Sequence, residues 1–102
     1  MNSEYTAVPE AILEKLAKVK LLSLDVDGVL TDGGIYYVDD GKTFRKFNAK
    51  DGMGLVRLRN SGVIVTVISA GASGAIEYRA RRLGIKHVFT NVSDKLSTLN
   101  NL

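Results

Sequence analysis

The segment Val63-Ile64-Val65-Thr66-Val67-Ile68 is β-branched at every position, which constrains the fold more than any other stretch of the chain. Such side chains lose torsional freedom in a helix and pack well on a pleated sheet. With apolar groups on both faces, the run predicts a strand covered on both sides, the setting of a parallel sheet. The flanking sequence supplies the covering helices. Val8, Ile12, Leu13, Leu16 and Val19 recur at helical spacing, with Pro9 suited to a first turn, so an amphipathic helix opens the chain. Leu21-Leu22-Ser23-Leu24 then reads as a short buried strand. A second helix is predicted from Asp51, a possible N-cap, with Met53, Leu55, Val56 and Leu58 as its buried stripe and Asn60-Ser61-Gly62 as its stop. A third helix runs through Ile76, Ala80 and Leu83 to Gly84, Lys86-His87-Val88-Phe89 makes a further strand, and another helix starts near Ser93.

Helices alternating with apolar strands define an α/β fold, a Rossmann-like parallel sheet in three layers. One insertion interrupts it. After the first strand, Ile35-Tyr36-Tyr37-Val38 and Thr43-Phe44-Arg45-Lys46-Phe47 flank the turn residues Asp39-Asp40-Gly41 and predict a β-hairpin. Ile35 and Tyr37 fall on one face, Tyr36 and Val38 on the other, so a hairpin standing alone in water leaves apolar groups uncovered. The expectation is that it packs against another subunit.

In parallel sheets ligands gather at the carboxyl ends of the strands. The informative residues fall there. Asp25 and Asp27 end the first strand, Ser69 the second, and Lys95 follows the third. Two carboxylates one residue apart, with an apolar strand leading in, are costly to hold without a cation. The chemistry that suits them is phosphoryl transfer: Asp25 as a carboxylate nucleophile, and Asp27 as the acid that protonates the leaving oxygen and the base that later activates water. An all-oxygen site of this kind suits magnesium. Gly28 lets the chain turn sharply so that amides approach a phosphate. The Ser69 hydroxyl and the neighbouring Ala70 are placed to bind phosphate oxygens, and Lys95 balances the negative charge.

The motif Asp25-Val26-Asp27-Gly28-Val29-Leu30-Thr31-Asp32-Gly33 resembles the first signature of the haloacid dehalogenase superfamily. With the hairpin and Phe47-Asn48-Ala49-Lys50-Asp51-Gly52-Met53-Gly54, the chain from about Lys20 onward is similar to the 3-deoxy-D-manno-octulosonate 8-phosphate phosphatases and to the phosphatase-like domain of acylneuraminate cytidylyltransferases. The resemblance implies a magnesium-dependent phosphatase of lipopolysaccharide biosynthesis, acting on a keto-sugar acid phosphate through an aspartyl-phosphate. In it Asp25 is the nucleophile, Asp27 the acid and base, Ser69 the second-motif hydroxyl and Lys95 the third-motif lysine. Magnesium is held by the Asp25 side chain and the Asp27 backbone carbonyl. The resemblance also implies a homotetramer joined through the hairpins.

Two departures qualify the resemblance. The family usually carries Gly-Arg after the second-motif serine, whereas Ser69 is followed here by Ala70-Gly71-Ala72-Ser73. The family also continues through a further strand bearing an acidic fourth motif, and no Asp or Glu follows Asp94. The expectation is therefore a single, incomplete domain over residues 1–102, weak in magnesium binding and in catalysis when isolated. A catalytically silent oligomerisation domain of the same fold is the alternative. A receiver-like phosphoacceptor does not account for the Asp-x-Asp spacing or the hairpin.

Other signals are weaker. Asp32 is expected to line the substrate entrance, and Lys50 and Arg45 are candidates for binding a substrate carboxylate. His87 is expected to have a structural or surface role, and Tyr36 and Tyr37 to serve hairpin packing. The 14 basic and 11 acidic residues are dispersed, and Arg79 to Arg82 read as a solvated helix face, so no nucleic-acid partner is expected. The chain has no cysteine and no apolar run of membrane-spanning length, and a cytoplasmic setting without membrane contact is the expectation.

Overall fold

A computed structural model describes residues 8–71 and 74–102. Its elements are helix α1 (Glu10–Leu16), strand β1 (Leu21–Leu24), strands β2 (Tyr36–Tyr37) and β3 (Thr43–Phe44), helix α2 (Ala49–Asn60), strand β4 (Ile64–Ile68), helix α3 (Gly74–Arg82), strand β5 (His87–Phe89) and helix α4 (Lys95–Asn100). A three-stranded parallel sheet has the order β1, β4, β5, and β2 and β3 form a separate antiparallel hairpin. The α/β class, the parallel sheet and the hairpin after the first strand are as the sequence predicts.

The β-branched run forms the central strand. Its registers, Leu24 opposite Val67 and Ile68 opposite Phe89, bring the carboxyl ends of all three strands level with one another. Val65 and Val67 join Val26, Leu55, Ile76, Ala80 and Ile85 in one core between the sheet and helices α2 and α3. Burying a side chain such as Ile76, 2% exposed, contributes about 2 kcal/mol. The two helices approach closely where α2 has no side chain. A Cβ on Gly52 would lie 2.4 Å from Arg79 Nη2 and 3.0 Å from Leu83 Cδ2. On the other face, Leu96 and Leu99 of α4 line a cavity with Ser23, Leu24 and Ile68.

Several local expectations are corrected. The cap of α2 is Asn48, whose side chain accepts a hydrogen bond from the Lys50 amide, and Asp51 lies inside the first turn. Gly52 and Leu55 are its buried residues, while Met53 and Leu58 are exposed. Strand β1 lies at the sheet edge, and only Leu22 and Leu24 are partly buried. Helix α1 buries none of its residues, and Ile12, Leu13 and Leu16 are exposed. In the hairpin, Tyr36 stacks on Phe44 with ring centroids 5.0 Å apart, which leaves Ile35, Tyr37 and Val38 exposed.

Candidate active site

The chain leaves β1 in a tight loop anchored by Val26, which is fully buried. Its carbonyl accepts hydrogen bonds from the amides of Val29, Leu30 and Thr31. Gly28 takes φ +78, a left-handed conformation that costs a side-chain-bearing residue. Its amide donates to Thr31 Oγ1 at 3.0 Å, and the Gly33 amide donates to the same oxygen. The expected sharp turn at Gly28 is present. Its amide serves the turn itself, held by a threonine that the sequence reading passed over. With Val26 as the inward anchor, Asp25 and Asp27 are both left exposed at the strand end.

Each carboxylate meets one cation. Lys95 Nζ lies 3.1 Å from Asp25 Oδ2, and the other oxygen, Oδ1, accepts from the Val26 amide at 2.7 Å. Arg45 Nε donates to Asp27 Oδ1 at 2.7 Å and Nη2 approaches Oδ2 at 3.4 Å. The Arg45 guanidinium beside Asp27 holds its carboxyl below the usual carboxylate range, first by hydrogen bonding and also by charge, with a smaller contribution from Lys95. Arg45 therefore reaches Asp27, the carboxylate expected to act as acid and base.

Ser69 is buried, and its hydroxyl oxygen accepts from the Gly71 amide at 3.1 Å. The loop beyond it closes through Asn91 N to Gly71 O and Val92 N to Ser69 O. Ser69 is thus fixed at the end of β4, and Ala70 beside it is exposed. Ala72 and Ser73 lie outside the described residues. Lys95 opens α4, whose Asp94 cap accepts from the Ser97 amide and so sets the direction of the lysine.

Asp32 and Lys50 are also expected at the site. Asp32 accepts from the Gly34 amide at 2.9 Å and from the Tyr36 hydroxyl, so its carboxylate is engaged in bracing the hairpin base. It also lines a cavity of about 410 Å³ with Thr31, Lys46, Phe47 and Asn48, a lining that does not include Asp25, Asp27, Ser69 or Lys95. Lys50 is exposed on the first turn of α2, and no contact brings its side chain to the aspartates. His87 is exposed on β5.

Among the described residues no group of three or more His, Cys, Asp or Glu side chains converges as a metal cage. The donors that are present, the Asp25 carboxylate and the backbone carbonyl of Asp27, fit part of the oxygen shell of a hard cation that keeps several waters.

A parallel sheet with Asp25, Asp27, Ser69 and Lys95 at its carboxyl ends, beside a hairpin after which Arg45 reaches Asp27, is the arrangement of a haloacid dehalogenase-like fold. No protein-family model matches the chain. Its sequence relatives are 3-deoxy-D-manno-octulosonate 8-phosphate phosphatases: that of Yersinia pestis is 37% identical over 98 residues, covering 96% of this chain and 52% of the relative. Among solved structures, a probable YrbI family phosphatase from Pseudomonas syringae is 40% identical with a TM-score of 0.86, covering 91% of this chain and 53% of that one. The 3-deoxy-D-manno-octulosonate 8-phosphate phosphatase of Moraxella catarrhalis, solved with a magnesium ion, a phosphate ion and KDO, is 37% identical with a TM-score of 0.84, covering 92% and 54%. The chain spans about half the length of the curated relatives it matches.

Proposed function

We propose that the protein to which this chain belongs is a phosphatase acting on a keto-sugar acid phosphate, 3-deoxy-D-manno-octulosonate 8-phosphate first among them. The observation that carries the reading is the pair Asp25 and Lys95, 3.1 Å apart at the carboxyl end of β1, with Asp27 two residues on. Likeness to phosphatases over nearly the whole chain supports the substrate class.

In the first step an Asp25 carboxylate oxygen attacks phosphorus, the bond from phosphorus to the sugar oxygen breaks, and Asp27 gives that oxygen its proton. In the second, Asp27 takes a proton from water, and the resulting hydroxide oxygen displaces Asp25 from phosphorus. Inorganic phosphate leaves and the carboxylate returns. Lys95 holds Asp25 in one orientation and offsets the charge of the incoming phosphate. The Ser69 hydroxyl donates to a phosphate oxygen. Arg45 favours the ionised form of Asp27 that the second step uses, and the approach of a negative phosphate favours the protonated form that the first step uses. A magnesium ion held by the Asp25 carboxylate and the Asp27 carbonyl would supply charge neutralisation between nucleophile and phosphate.

The same reading assigns the exposed Ile35, Tyr37 and Val38 to contacts between hairpins in a homotetramer. Phosphate release by the full-length protein, with magnesium and a panel of sugar and sugar-acid phosphates, tests the activity. Preferential hydrolysis of the octulosonate phosphate, abolished by Asp25→Asn, is the expected result. An absence of phosphate release from every member of the panel overturns the reading in favour of a silent assembly module.

A further inference from the structure

Gly71, in the loop after β4, has no side chain, and a guanidinium stands where one would project. A Cβ built on Gly71 would lie 2.8 Å from Arg45 Nη2, and 3.4 Å from both Asp27 Oδ2 and Ser69 Oγ. Four groups therefore meet at this point, from the loop after β1, the segment just after β3, and the end of β4 with its loop. The Arg45 side chain is only 17% exposed, although its partner Asp27 is 53% exposed. An arginine on a hairpin ordinarily keeps its head in water, because withdrawing it costs solvation and rotamer freedom while an exposed ion pair returns little. Here the cost is borne at a carboxylate to which the mechanism gives two proton transfers.

We propose that Arg45 is the positioning residue of Asp27, and that Gly71 is the gap through which the hairpin delivers it. Two nitrogens of one planar guanidinium fix both the place and the rotation of a carboxylate, which a single contact does not. The loop after β1 positions the Asp27 backbone, whereas the exposed Asp27 side chain has its one described ion pair with Arg45. The hairpin is then a working part of the catalytic centre as well as an apolar surface. The inference rests on the phosphatase reading and names how its acid–base residue is held.

Two substitutions break the contact by different routes in the full-length protein. Arg45→Ala removes the guanidinium. Gly71→Ala leaves its charge in place and displaces it, at little structural cost because the atom met is the end of a flexible side chain. Both are expected to lower kcat roughly 10- to 100-fold with KM little changed, since a misplaced proton donor affects the chemical step more than binding. Arg45→Lys is expected to recover part of the loss. The double variant is expected to be no worse than Arg45→Ala alone, because both changes remove the same contact. A purely structural role would lower the melting temperature and add its losses. Slow solvent exchange of the Arg45 Nε proton, followed by NMR, reads the contact without turnover and is expected to be lost in Gly71→Ala.

Wild-type kcat in Arg45→Ala, additive losses in the double variant, or an unprotected Arg45 Nε proton in the wild type would each overturn the proposal. A wild-type protein that releases no phosphate from any substrate defeats the phosphatase reading, and with it the positioning role, even where Arg45 Nε is protected.

Discussion

Lys95 Nζ and Asp25 Oδ2 lie 3.1 Å apart, bringing the first residue of the last helix onto the end of the first strand. Both side chains remain about two-fifths exposed, at 42% and 44%, so the pair contributes little to stability, roughly 0 to 1 kcal/mol. Its value lies in the reaction. Replacing Lys95 with Met is expected to lower phosphate-release turnover about 100-fold or more, by analogy with the loss of one preorganised donor. The melting temperature should stay close to that of the wild type. Parallel kinetic and thermal measurements separate the two effects.

Asp32 and Tyr36 perturb one another at the hairpin base. The hydrogen bond from the Tyr36 hydroxyl lowers the Asp32 pKa and raises that of Tyr36. The bond needs an ionised Asp32 and a neutral Tyr36. Its contribution is therefore present above the ordinary carboxylate pKa of 3.8, is lost as pH falls through the depressed Asp32 value, and is lost again as pH rises through a Tyr36 value above 10.0. An ultraviolet titration should show a phenol ionising above its ordinary value. Asp32→Asn should remove that late ionisation; its persistence would contradict the assignment.

Asn48, and not Asp51, caps helix α2. Asn48→Ala is expected to cost about 1 kcal/mol by urea unfolding. Asp51→Asn removes only a favourable charge near the helix start, and should cost at most about 0.5 kcal/mol. A reversed order would contradict the observed cap.

Exposed Ile35 and Tyr37 carry the assembly proposal. Ile35→Asp combined with Tyr37→Asp should convert a tetramer of the full-length protein into smaller species in sedimentation velocity, with the melting temperature of the subunit little altered. A wild type that sediments as a monomer contradicts this reading.

Much of this arrangement was legible from residue chemistry. The β-branched run at Val63 to Ile68 could only sit well in a covered strand, and from Val65 to Ile68 it is the buried centre of the sheet. Asp25, Ser69 and Lys95 were legible as a group because strand ends in a parallel sheet share one edge. Arg45 was not legible in its observed contact. It meets a residue 18 positions earlier, and only the fold-back of the chain after the hairpin brings them together. Asn48 and Asp51 are both capable caps three residues apart, and the choice between them depends on where the backbone leaves the hairpin. The apolar content of Leu21 to Leu24 predicts a strand but does not distinguish a sheet edge from a centre. The stripe on α1 was correct as a helical period, yet period alone does not supply a surface to cover it.

The most direct test of the account is chemical trapping of the covalent intermediate. Full-length protein quenched during turnover of 3-deoxy-D-manno-octulosonate 8-phosphate, then reduced with borohydride and mapped by tandem mass spectrometry, should be modified at Asp25. Asp25→Asn should abolish the modification, and Asp27→Asn should leave it in place or increase it. Modification at another residue, or turnover that persists in Asp25→Asn, would contradict the assignment of Asp25 as the nucleophile.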